Sequence, residues 1–169
     1  MVPNYSDSII TPGSRMAKKT LIGDVVQILT SRGIAYAQFT HKHQRFGVLL
    51  SIFEGFYEEA PKDFSSVVSG PPTFQTFFPL QPALNEGLFC VVANVAVADR
   101  NKPFPTFRSR VIGADGQPGP WWLWDGQKEE MLRRDLTDTE KHYSLRGISS
   151  APLLVERIES GYRPETHSI

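Results

Sequence analysis

The tightest constraint on this chain is the spacing of three apolar stretches within residues 25–53. Residues 25–29 are short and β-branched. Ser31-Arg32-Gly33 then supplies turn chemistry. Residues 34–40 follow, with Tyr36 and Phe39, and a polar hinge at residues 41–45 leads into the apolar run 46–53. Connections this short join antiparallel neighbours, because a parallel crossover needs a dozen residues or more. The expectation is a three-stranded meander.

The rest of the chain continues in the same idiom. Residues 54–63 are acidic and aromatic, broken by Pro61, and read as a loop before one helical turn around residues 64–68. Gly70-Pro71-Pro72 is firm punctuation. Residues 73–80 should be extended, and residues 81–87 a short connection or turn. Residues 88–97 are apolar at both alternating sets of positions apart from Asn94, which predicts a central strand buried on both sides. Val91, Val92, Val95 and Val97 favour strand over a buried helix there. Residues 99–105 form a Pro-containing turn. Residues 106–112 alternate, with Phe107, Ser109 and Val111 on one face and Arg108, Arg110 and Ile112 on the other. Turns at Asp115-Gly116, Pro118-Gly119 and Asp125-Gly126 frame a strand at residues 121–124, and residues 127–135 are charged and exposed. Thr137-Asp138-Thr139-Glu140 matches a capping box opening a short helix. A second helix is expected at residues 152–160: Ser149 or Ser150 caps it, Leu154 and Ile158 share its buried face, and Gly161 stops it. The fold class is α+β and β-rich: a curved antiparallel sheet or partly open barrel, with a short helix and a C-terminal helix packed on it.

At 169 residues the chain suits one domain, since a domain usually holds about 100–200 residues. We read a flexible tail at residues 1–16 and a single β-rich domain at residues 17–169. The tail lacks the basic-then-apolar order of a signal peptide. No window approaches the ~20 apolar residues of a membrane span. Eighteen basic and eighteen acidic residues cancel. A nucleic-acid partner is therefore not expected, because phosphate neutralisation needs a basic excess. Cys90, the single cysteine, excludes an internal disulfide and sits in an apolar run as a core residue. A cytoplasmic setting and no membrane partner follow as expectations.

Chemistry-bearing patterns are sparse. His41-x-His43 places two imidazoles on one face of a strand, yet names no further metal ligand, so a solvated turn is expected. Glu54, Glu58, Glu59 and Asp63 form an acidic cluster better suited to a basic partner than to paired-carboxylate catalysis. There is no Gly-x-Ser-x-Gly elbow, phosphate loop or dinucleotide fingerprint. No catalytic residue, cofactor or metal site is assigned, and the expectation is a protein that is not an enzyme. Arg108 and Arg110 beside Phe107 suit phosphates or bases only if the chain binds nucleic acid. Trp121-Trp122-Leu123-Trp124 is the most unusual run: on a strand Trp122 and Trp124 share one face, and Trp121 and Leu123 the other.

One resemblance adds to this reading. Gly23-Asp24-Val25-Val26-Gln27-Ile28, a turn, Ile34-Ala35-Tyr36-Ala37-Gln38-Phe39 and the stretch 46–53, followed later by Phe107-Arg108 and residues 121–126, resemble the immunity protein 26 family of bacterial polymorphic-toxin systems. Residues 60–87 show no counterpart of that pattern. The resemblance implies a small protein that neutralises a cognate toxin by tight association, without catalysis. Its acidic-aromatic face (Phe56, Tyr57, Glu58, Glu59, Asp63) would mimic nucleic acid for a basic cleft, and Trp121, Trp122 or Trp124 would anchor the contact. The alternatives are a small-molecule or nucleic-acid binding β-barrel module, and an enzyme whose site is scattered through the sequence.

Overall fold

A computed structural model of the protein describes residues 18–167; the tail expected at residues 1–16, like the domain start at residue 17, lies outside the described residues. The meander forms as its spacing demands. Strands β1 (Asp24–Thr30), β2 (Gly33–His43) and β3 (Gly47–Ile52) pair antiparallel in sequence order. Only Ser31 and Arg32 separate β1 from β2, and Gly33 takes a φ of +125° against the backbone of Tyr57. A side chain there would be strained, and its Cβ would lie 3.0 Å from the Tyr57 carbonyl. β4 (Phe74–Phe77) joins β3 and β5 (Cys90–Asn94) joins β1, giving a five-stranded sheet of order β4-β3-β2-β1-β5.

Three local expectations are corrected here. β2 runs on to His43, so the polar hinge shrinks to residues 44–46. Residues 80–85 form a helix, α2 (Leu80–Asn85), rather than a turn. Leu80, Ala83 and Leu84 recur at helical spacing and all are buried, while Pro79 offers no side-chain cap to advertise the start. The expected central strand at residues 88–97 is the shorter edge strand β5, with Cys90 and Val91 exposed. Apolar residues of the stretch still find partners on both sides: Phe89, just before the strand, in the helix-covered core, and Val92 and Ala93 in the cluster on the opposite face. What is open is its outer edge, which side-chain alternation does not report.

One face of this sheet presents Val26, Ile28, Ala37, Phe39, Leu50 and Ile52 to α2 and to α3 (Ala151–Glu159). Leu154 and Ile158 are the α3 residues buried against it. Ser150 caps α3 by accepting the Leu153 N–H, and Gly161 ends it at a φ of +69°. On the other face, α1 (Phe64–Val68) covers Val25, Tyr36 and Phe53.

The remainder of that second face meets a smaller antiparallel sheet, β6 (Phe107–Ile112), β7 (Pro118–Trp124) and β8 (Glu129–Met131). Neither sheet closes on itself. Leu49 and Phe77 from the first pack with Phe107 and Trp124 from the second. Residues 144–149 stitch the sheets together. Arg108 donates its N–H to Ser144 O (3.0 Å), and Arg146 N–H returns to Arg108 O (2.9 Å). Phe77 N–H donates to Gly147 O (3.2 Å), and Ser149 N–H returns to Phe77 O (2.9 Å). Both bridges are parallel. Among the described residues, no helix is long and apolar enough to cross a membrane.

The capping box forms reciprocally before a short 3-10 turn at Glu140–His142: Glu140 N–H donates to Thr137 Oγ1 (3.2 Å), and Thr137 N–H donates to Glu140 Oε2 (2.8 Å). Arg134 adds a two-pronged ion pair, with both contacts at 2.8 Å. The Arg134 hydrogen bond, then the Thr137 N–H, pull the Glu140 carboxyl from 4.5 down to about 2. A depressed carboxyl contributes stability above its unfolded value and loses it as pH falls through the folded one. Urea titrations should therefore show wild-type stability declining between pH 4.5 and 2 by an amount that Glu140→Gln does not lose. At neutral pH, Glu140→Gln should cost about 1 kcal/mol, as capping substitutions do.

Candidate functional site

The acidic-aromatic loop is built onto the start of β2. Ile34 N–H donates to Tyr57 O (2.8 Å) and Tyr57 N–H donates to Ile34 O (2.9 Å), a one-residue antiparallel bridge. The Tyr57 and Phe64 rings meet Tyr36 edge-on at 5.3 and 5.2 Å. Burial, then the neighbouring Tyr57, raises the pKa of the Tyr36 hydroxyl, which has no hydrogen-bond partner among the described residues. Phe56 is half-buried beneath the Arg32 guanidinium, 4.4 Å from its ring centre. Asp63 caps α1 by accepting the Ser65 N–H at 2.9 Å. Glu54 pairs with Arg163 at 2.8 Å. Glu58 and Glu59 remain exposed, and neither is hydrogen-bonded or ion-paired among the described residues. Of the acidic cluster, two carboxylates are thus free among the described residues and two, Glu54 and Asp63, are committed to structure.

The tryptophans lie elsewhere, in the second sheet. Their facing follows strand alternation, but both faces are covered. Trp121 packs with Leu132 and Leu136, with Leu123 and Leu145 alongside. Trp124 sits among Phe77, Phe107 and Leu49. Only Trp122 is half-exposed. The 54–63 loop, by contrast, adjoins β2, α1 and Arg163.

Arg108 and Arg110 both lie over the Trp121 ring, at 5.0 and 4.6 Å. The two share a face of β6, as strand alternation requires, and Arg108 is 3% exposed. Its Nε donates to Tyr143 O (2.9 Å) and its Nη2 to Pro164 O, while burial lowers its pKa. Arg110 Nε donates to Gly119 O at 2.8 Å. These donors serve backbone carbonyls of the fold itself.

His41 and His43 also turn inward rather than lying in a solvated turn. His43 Nδ1 accepts the N–H groups of Arg45 (3.1 Å) and Phe46 (3.3 Å), so Nε2 carries the proton and donates to Gly126 O at 2.9 Å. Its ring meets Trp124 edge-on at 4.9 Å and also touches Phe46, Phe77 and Phe104. His41 Nε2 donates to Lys102 O at 2.7 Å. Each imidazole ties the first sheet to a loop flanking the second. Among the described residues, no three His, Cys, Asp or Glu side chains gather as a metal site.

A cleft of about 350 Å³, which the sequence does not announce, opens between residues 53–56 and the end of α3. Three arginines line it: Arg32 from the β1–β2 turn, Arg157 from the last turn of α3, and Arg163 beyond it. Glu54 is the one carboxylate in its wall. Residues so far apart in the chain leave no local signal. No protein-family model, curated protein or solved structure matches this chain.

The burial pattern separates the tryptophans by experiment. Trp121→Ala should destabilise the protein by about 3–5 kcal/mol, the usual cost of emptying a buried aromatic site. Trp122→Ala should cost about 1 kcal/mol or less. Urea midpoints of the two variants measure the difference.

Proposed function

We propose that this chain is a non-catalytic binding protein of the immunity type, which neutralises a cognate toxin by covering its working surface. The observation that carries this reading is the locked loop at residues 54–59. Its backbone is fixed to β2 by the Ile34–Tyr57 pair of hydrogen bonds, while Glu58 and Glu59 stay unengaged at the surface. A surface ordered in advance avoids part of the entropy cost of association, about 0.5–1.5 kcal/mol for each side chain that need not be frozen. Free carboxylates steer encounter with a basic cleft, the kind of site that a nucleic-acid-cutting effector carries. Phe56 and Tyr57 supply the apolar part of the same patch. We place this activity in the cytoplasm, where an exposed unpaired thiol such as Cys90 stays reduced.

The test is capture of the tagged chain's partner from the lysate of its source organism under conditions where effectors are expressed, followed by binding kinetics. One large effector at one-to-one stoichiometry is expected. Glu58→Lys combined with Glu59→Lys should slow association at least tenfold at low salt and flatten its salt dependence. An unchanged rate and salt response would remove the loop from the interface. No captured effector at all would end the immunity reading.

A further inference from the structure

We infer that the arginine-lined cleft beside α3 is a binding site for a small oxyanion ligand: a phosphate monoester or a carboxylate carrying an apolar or aromatic body. This goes beyond the toxin-binding reading and stands independently of it. The cleft's volume, about 350 Å³, lies within the ~300–1,000 Å³ of small-molecule sites.

The charge balance points to an anion. The lining holds three guanidinium groups against one carboxylate. Arg157 is the decisive group. It is half-buried and stacked on the Tyr162 ring at 4.8 Å, yet none of its guanidinium N–H groups meets an acceptor among the described residues. Its nitrogens are open to solvent, so a bidentate oxyanion can take these uncommitted donors in place of water.

The other two arginines are held ready. Arg32 is fixed by one bond, Nη1 to Glu159 O at 3.0 Å, and by its stacking on Phe56. The Glu159 carboxylate, close by but outside the lining, is occupied by the Ser31 N–H at 2.7 Å. Arg163 is held by Glu54 in an exposed rim pair. Such pairs are weak, so a ligand anion can compete for Arg163. Ile52, Phe56, Phe74 and Ile158 provide the apolar wall for the ligand's body. The site thus combines a few polar groups with an apolar lining, as ligand sites do.

Titrating the full chain with phenyl phosphate, phenylacetate and inorganic phosphate, followed by calorimetry and amide NMR shifts, tests this. Saturable binding of phenyl phosphate or phenylacetate is expected, at least tenfold tighter than inorganic phosphate, with shifts centred on residues 157–163. The better of the two organic probes identifies the anion class. Arg157→Gln should weaken binding at least tenfold. Arg157→Lys, which keeps the charge but loses the planar fork, should fall between Arg157→Gln and wild type. Glu54→Gln, which frees Arg163, should tighten binding severalfold, an effect that damage to the fold would not mimic. The inference is overturned by any of three results: no saturation by either organic probe at millimolar concentration, shifts centred elsewhere, or an Arg157→Gln variant that folds and binds like wild type.

Discussion

The architecture depends on a short run of backbone, residues 144–149, that hydrogen-bonds in two directions. Its first half pairs with β6 through Arg108, and its second half pairs with β4 through Phe77. An unpaired edge strand leaves a row of N–H and C=O groups exposed. Here the open edges of two separate sheets are satisfied by one intervening segment. Side chains reinforce the same seam: Thr76 and Ser149 hydroxyls bond at 2.7 Å, and Gln75 N–H donates to Ser144 Oγ at 2.9 Å. The two sheets therefore behave as one unit rather than as two modules joined by a linker.

The space between the sheets is not a simple apolar core. It contains His41 and His43, each bonded to a backbone carbonyl of a loop flanking the second sheet. A further chain of bonds runs inward from His41: Thr40 Oγ1 lies 3.0 Å from His41 Nδ1 and 3.1 Å from Ser51 Oγ, which accepts from Gln75 Nε2 at 2.9 Å. Buried polar groups are tolerable only when paired, and their directional bonds specify one arrangement where greasy contacts would accept several. The aromatic cluster around Trp124 supplies the cohesion, and the polar pairs set the register.

What was legible in the sequence follows the range of the forces involved. The meander, the Thr137–Glu140 box and the cap, face and stop of α3 are set by neighbours a few residues apart, and each formed as its residues indicated. The facing of Trp121 and Trp124 was equally local, whereas the fact that both faces are covered was not. β5 was misplaced because an edge strand and a central strand can carry the same valines. α2 was missed because Pro79 offers no capping side chain and its three buried residues span only two turns. The histidines looked solvated because their acceptors are carbonyls tens of residues away, which no side-chain pattern records. The acidic loop was visible as composition, but the arginines beside it come from two distant segments, the β1–β2 turn and residues 157–163, and meet only through the fold.

The position of the seam in the chain has a consequence for biosynthesis. All five strands of the first sheet have emerged by residue 94, yet the partner of β4 arrives only at residues 147–149 and the α3 anchors Leu154 and Ile158 later still. At about 5–20 residues per second, this leaves β4 bare-edged for roughly 3–10 s of synthesis. During that interval the growing chain presents an unsatisfied strand edge beside an apolar face that α3 has yet to cover, a combination that invites pairing with other chains. The device that unites the finished molecule is thus missing for most of the time its sheet is exposed on the ribosome.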